Sequence, residues 1–353
     1  MPHIYEYLFA AVITVSVLLA SSLMLNIISE PLRIASEKEN LKAAAQTILT
    51  QILLNPGSPE DWGSNITIKG LDLTSFGLAP KKRITKEVYT LDADKISRLN
   101  KMNPFYIPPY YAGKALGLSP EYGFTIEIFP ALDVNVSETQ PGLYNVEVRT
   151  IYGGNPVLGA NVTARIYYLN SGSIMAIPNN CSLHGVTGYD GRCAINFGFL
   201  SSARYVAIFL VDYSGMRVME VISSDGIKQN VLAGKYFLLA EKHDFSEDSV
   251  FEVIACQKNG VYEIEHIKSK IRSVARSDDG FIYEIEYVEP QLISVLASSG
   301  NDYLMLASRK INLVYGTIVP SALAPPLGFV IEKIVLVDGF SYAVRLYLWR
   351  LVW

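Results

Sequence analysis

The sequence predicts a mainly β protein carried on one long N-terminal α-helix, transmembrane in its first part and amphipathic in its second. Three observations lead there. Leu8 to Ile28 carries no charged residue. Residues 34–52 then repeat apolar side chains at helical spacing. From Phe124 onward the apolar pattern changes to a period of two, interrupted by turn residues.

The apolar run comes first. About 21 residues at 1.5 Å each make roughly 31 Å of helix, enough to cross a bilayer core. It is too long for an ordinary signal-peptide core, no Lys or Arg precedes it, and no small-residue cleavage pattern stands before Glu30. A retained membrane helix is therefore expected. Pro31 follows, and an interior proline kinks or breaks a helix, so a bend is expected there. Beyond it Ile34, Leu41, Ala44, Ala45, Ile48 and Ile52 share one face. Glu39, Lys42, Gln46, Thr47 and Thr50 occupy the remainder, and Asn55-Pro56-Gly57 ends the helix.

The 353 residues suffice for this helix and two ordinary domains. A net charge of -4 with no basic stripe argues against a nucleic-acid partner. Lys81, Lys82 and Arg83 form the one basic cluster and read as a solvated loop.

Glu6 stands two residues before the apolar run in MPHIYEYLFAAV, and trimming of Met1 would make it the fifth residue. Here the chain resembles type IV pilin-like proteins, particularly those of archaea. The strings NPGSPEDWG, GLA and YTLDADKISRLN extend that resemblance over about residues 1 to 125. The resemblance implies a lollipop layout and an apolar helix that sits in the membrane and later packs in a filament core. It implies that Glu6 is compensated by a neighbouring subunit's terminal amine. It also implies that Ala10, Ala11, Ala20 and Ser21 permit close helix contact, with Pro31 at the bend toward the head.

Four N-x-[ST] acceptors begin at Asn65, Asn135, Asn161 and Asn180, all after the membrane helix, so that side is expected to be extracellular and glycosylated. Cys181 and Cys193 flank a Gly-x-Asp-Gly turn, and a disulfide between them would clip a short loop in an oxidising compartment. Cys256 reads as an inert strand thiol.

Further along, Trp62 is expected to lie over the β body, and Asp92 or Asp94 to cap a helix at residues 95–100. Another helix is expected near residues 110–118, ended by Gly117 or Ser119-Pro120. Roughly seven short strands over residues 124–223 make a β-sandwich pattern. GGNPVLGANVTARI followed by TGYDGRCAINF resembles bacterial Ig-like and carboxypeptidase-regulatory-like modules. Within Asn161 to Ile166, Val162 and Ala164 are expected to point inward, with Asn161 and Thr163 toward solvent. A second all-β region runs from Lys235 and ends in a hairpin turned at Asp338-Gly339, whose last strand closes a sheet against the amphipathic helix. Pro320 to Pro326 reads as a proline-rich crossing loop. The expected division is 1–55 for the helix, 56–123 with 224–353 for a membrane-proximal β-rich domain, and 124–223 for the Ig-like sandwich.

No motif carries chemistry. The four histidines have no metal-ligand spacing, and His243-Asp244 with Ser246 is adjacency without a fold to make it a triad. Glu263/Glu265 and Glu284/Glu286 alternate on strands, as exposed charged faces do. Neither an enzyme nor a cofactor or metal site is expected. The reading is an extracellular structural protein at the cell surface, a pilin-like filament subunit or minor pilin assembling with like or unlike subunits through its helix. The alternative is a non-polymerising surface module, anchored in membrane lipid by its N-terminal helix, whose sandwich binds a glycan or protein.

Overall fold

The computed structural model describes residues 3–351 apart from 82–88, 119–120, 180, 199–203, 226, 240, 244, 246–248, 278–279, 300–302 and 318–327. The side chains of residues 3–4, 25–34, 228–229 and 275–277 also lie outside the description. The Pro320–Pro326 loop, Lys82, Arg83, Asn180, Asp244 and Ser246 therefore lie outside the described residues.

The two helical segments expected around Pro31 are one element, α1 (His3–Leu54, 52 residues). Proline's fixed φ matches the helix, so the backbone continues through it at the loss of one internal hydrogen bond. The buried face of its C-terminal part is Leu41, Ala45, Ile48, Leu49, Ile52 and Leu53, spaced for one helical stripe. Helix α1 ends where Asn55-Pro56-Gly57 begins. Gly57 has φ +79° and donates its N–H to the Asn55 side chain at 2.8 Å, as a chain leaving a helix requires.

That stripe packs on a five-stranded sheet, sheet 1, ordered Thr90–Leu91, Gly328–Val337, Phe340–Arg350, Tyr122–Pro130, Leu313–Gly316. Its hairpin turns through Asp338 (φ 51°) and Gly339 (φ 82°), with Val337 opposite Phe340, so the two-residue primed turn read from Asp-Gly is present. The last strand lies inside the sheet, paired to Gly328–Val337 on one side and Tyr122–Pro130 on the other. Its apolar edge is thereby closed. Tyr122–Pro130 belongs to this sheet, and the sandwich begins after Ala131.

Four further sheets follow. Sheet 2 is Leu132–Gln140, Leu143–Thr150 and Arg192–Asn196. Sheet 3 is Met216–Ser223, Tyr205–Tyr213, Asn161–Asn170 and Ser173–Ile177, with Leu183–Val186 also paired to Asn161–Asn170. Sheet 4 runs Lys228–Gln229, Tyr303–Ser308, Leu292–Ser299, Val250–Lys258, Val261–Lys268. Sheet 5 is Val231–Ala233, Tyr236–Leu239, Gly280–Ile285 and Ile271–Ser277.

Successive sheets share cores. Sheets 2 and 3 enclose Val146, Val148, Val162, Ala164, Phe209 and Val211. The opposite face of sheet 3 meets sheet 4 through Tyr167, Ile208, Leu210, Phe251, Val253 and Ile264. Sheets 4 and 5 close over Phe237, Tyr283, Val295 and Ala307. Asn161–Asn170 and Tyr205–Tyr213 are consequently buried on both faces, which overturns the expectation for Thr163: it is 3% exposed, under sheet 4. Val162 and Ala164 point into the sandwich core as expected, and Asn161 is exposed.

Candidate functional site

The apolar part of α1 is the first candidate. None of Tyr5–Met24 is buried against the body. Twenty residues make about 30 Å of helix, the thickness of a bilayer's hydrocarbon. Glu6, Ala10, Ala11, Ala20 and Ser21 are all exposed on it. At about 100° per residue, Glu6, Ala10 and Ser21 fall within one sector of about 60°, whereas Ala11 and Ala20 lie on opposite sides of it. The small residues therefore form one narrow stripe and two outliers. Between Met24 and Leu41, the first buried position among the described residues, lies about 25 Å of helix.

The socket that holds α1 is built from the following loops. Trp62 is fully buried on Phe76, at 5.8 Å between ring centroids, and donates its indole N–H to Gly77 O at 3.3 Å. Gly77 allows its segment to touch the helix end, since a Cβ there would lie 2.0 Å from Asn55 O. Leu78 N–H then donates to Ile52 O at 2.7 Å, satisfying a carbonyl in the last turn. Asp92 caps α2 (Ala93–Ser97), accepting from Asp94 N at 2.9 Å, and burial pushes its carboxyl up to about 6. Asp94 instead meets Arg309 at 2.8 Å and accepts from Gly234 N at 3.0 Å. Lys95, one turn on, is wholly buried and donates to Pro56 O and Ala79 O at 2.7 and 2.6 Å. A cation thus sits at the negative end of α1's dipole, although burial lowers its pKa. Arg98, 1% exposed, donates to the carbonyls of Trp62, Asn65, Ile68 and Phe105. The expected second helix is α3 (Pro109–Ala115), followed by Gly117 at φ +72°.

The sequons differ in presentation. Asn135 is exposed, as is its Ser137, on an edge strand of sheet 2. Asn65 is half-buried, and its side-chain Oδ1 accepts from the Thr67 hydroxyl at 2.7 Å. Asn161 is exposed at the mouth of a groove of about 530 Å³, whose lining includes His184, Asp212, Lys258, Tyr262 and Glu263.

The expected Cys181–Cys193 disulfide is absent: both are free thiols, as is Cys256. Cys193 lies on sheet 2 beside Gly185, with its Sγ 3.4 Å from where a Cβ on that glycine would stand. Cys181 is exposed and lies two residues before the Leu183–Val186 strand begins. Burial also pushes the Cys193 and Cys256 thiols up to about 11. Native alkylation is therefore expected to label Cys181 rapidly and the other two slowly, with three equivalents after denaturation and no prior reduction. Fewer than two denatured equivalents would restore the disulfide.

The described side chains that the sequence offered for chemistry stand in packing and ion-pair contacts. His243 packs its ring near Phe245 and Tyr303, while Tyr283 Oη bonds its backbone. Glu284 is held below its ordinary range by Lys235 and Arg272, a structural pairing. Glu265 pairs with Lys258, and Glu263 with His184 at 3.0 Å. Among the described residues no group of three His, Cys, Asp or Glu is placed to hold a metal. The interlocking of Thr163, Arg165, Ser182 and His184 with Val261–Lys268 was illegible in the sequence, because its members are separated by about 80–100 positions. Comparison of the chain with protein-family models, with curated proteins and with solved structures finds no match to any of them.

Proposed function

We propose that this chain is an extracellular structural subunit of the type IV pilin-like kind, assembling through the exposed part of α1 and displaying its β layers as a head. The observation that carries the reading is the division of labour along one 52-residue helix. Its first apolar stretch touches nothing in the body, while its last turns are part of the body's core. Such a helix requires a second environment, and lipid followed by neighbouring helices supplies it. Glu6 at the start of that stretch is a carboxylate whose burial in a bundle needs a partner amine. Sheets 2 and 3 are read here as the Ig-like module, glycosylated on the exposed face that carries Asn135.

A second reading, an anchored module that binds without polymerising, draws on the loops at one end of sheets 2 and 3. Tyr152 and Tyr189 are 59% and 89% exposed on loops pinned together by Thr187, whose hydroxyl donates to Val157 O at 2.6 Å. Rigid exposed tyrosines suit recognition.

One experiment separates them. Glu6→Ala is compared with the unmodified chain for recovery in sheared surface filaments, alongside N-terminal sequencing of the native protein. Loss of at least tenfold from filaments, with the membrane fraction unchanged, is the expected result. Equal recovery of both chains in the membrane, with no filament fraction for either, sinks the filament reading and leaves the anchored module.

A further inference from the structure

The two faces of sheet 1 have different surroundings. Ile126, Ile128, Tyr342, Val344 and Leu346 turn inward to the core that holds α1. The alternate residues form an outer face, on which Val314, Val330 and Ile334 stay 67%, 49% and 43% exposed. One end of that face is met by sheet 3, where Arg217 N–H donates to Ser341 Oγ at 3.2 Å.

A charged row crosses the middle of the face. Val314, Glu127, Arg345 and Glu332 are direct cross-strand neighbours on four adjacent strands. Arg345 Nε donates to Glu332 Oε2 at 2.8 Å and its Nη1 to Glu127 Oε2 at 3.3 Å, with the guanidinium 4.9 Å from the Phe129 ring centre. Two carboxylates thus share one cation, and among the described residues Glu332 Oε1 has no donor. The row runs into a groove of about 500 Å³ that adds Asp133, Glu220 and Lys310. Lys310 is taken up by Glu220 at 2.7 and 2.6 Å, so the exposed Asp133 adds to the acidic excess. Arg149, across the strand pair from Asp133, is held by Glu147 at 2.6 Å. An exposed apolar face therefore carries net negative charge.

The complementary charge belongs to the opposite edge of the same sheet. Residues 81–87 read KKRITKE, four bases and one acid, the densest basic run in the sequence. Lys81 is exposed. The run lies between Ala79, whose N–H donates to Asn55 O at the end of α1, and Tyr89, whose carbonyl accepts from Leu336 N. Thr90–Leu91 is one edge strand of sheet 1 and Leu313–Gly316 is the other, four strand spacings or about 19 Å apart. A patch and its complement on opposite edges of one sheet make a heterologous pair. Joined between copies, such a pair extends a line, whereas a two-fold dimer would close.

We propose that the outer face of sheet 1 is an interface between copies of this chain, its Glu127–Arg345–Glu332 row receiving the basic run of residues 81–86 from a neighbour. The contact lies in the head and holds whether or not α1 leaves the membrane, so it does not depend on the outcome for Glu6.

The test mixes heavy-nitrogen-labelled and unlabelled full-length chains in detergent, couples carboxylates to amines with a zero-length carbodiimide and maps the joined peptides by mass. The expected links join Lys81, Lys82 or Lys86 to Glu127, Asp133 or Glu332 in mixed-isotope pairs. Sedimentation equilibrium of the uncoupled chains gives the self-association constant. Val314→Lys, which adds a cation to the row at an exposed position, should weaken association about tenfold. Lys81→Glu combined with Lys82→Glu and Arg83→Glu should weaken it by about as much, and uniting the two sets should restore most of it. Links confined to one isotope would place the run on its own sheet and overturn the interface. Links from other lysines alone, association unchanged in both variants, or no self-association of the unmodified chain would overturn it equally.

Discussion

Arg98→Met is expected to cost about 3–5 kcal/mol of stability, enough to unfold a protein of ordinary marginal stability under mild heating. The guanidinium is 1% exposed and donates to four carbonyls from two loops. Methionine fills much of the volume but leaves Trp62 O, Ile68 O and Phe105 O without donors in a dry setting, while Asn65 O keeps only the Ile68 N–H at 3.3 Å. Each then carries a desolvation penalty of about 1–3 kcal/mol before relaxation. Those loops seat Trp62 and through it the end of α1, so the loss reaches the helix socket. Urea denaturation followed by tryptophan fluorescence measures it: the midpoint should fall with the slope unchanged. A loss below about 1 kcal/mol would mean that water enters and satisfies the carbonyls, and the socket would not depend on this residue.

The second large effect concerns the other end of the helix. Val15→Arg combined with Leu18→Arg is expected to release the chain from alkaline-washed membranes. Each arginine near the middle of a spanning helix costs about 2.5–3.5 kcal/mol, so the pair costs about 6 kcal/mol. Both side chains are more than half exposed and touch no part of the head, so circular dichroism and protease resistance of the head should not change. Retention in the membrane at wild-type level would sink the anchor. Recovery of a wild-type chain that begins after Ile28 would identify the apolar stretch as a removed signal.

Both experiments address a helix whose character was legible from composition. Twenty-one consecutive residues without charge, Leu8 to Ile28, have few folded solutions, and the stripe from Leu41 to Ile52 repeats at a spacing that only a helix uses. Asp338-Gly339 was equally legible, because two successive positive φ angles are tolerated by few residue pairs. The Asp92 cap was narrowed to two acids by type, and the fold chose between them: Asp92 caps, while Asp94 is drawn to Arg309. The Cys181–Cys193 pairing failed for a related reason. Spacing along the chain suggested a loop, but the packing of sheet 2 on the Leu183–Val186 strand set the Cys193 sulfur against Gly185, and both cysteines stay free thiols.

The sequence by itself determined the local matters: an apolar helix continuing into an amphipathic one, the primed hairpin and the periodic strands. The tertiary structure alone decided how those strands stack. Period-two patterning reports which residues alternate, yet it cannot say whether the second face meets water or another sheet. Thr163 reads as a solvent-facing strand residue until sheet 4 is placed over it. His184 and Glu263, some 80 residues apart, acquire their meaning only there. Interactions within a turn or two are written into adjacent residues, whereas those between layers depend on the path of the whole chain.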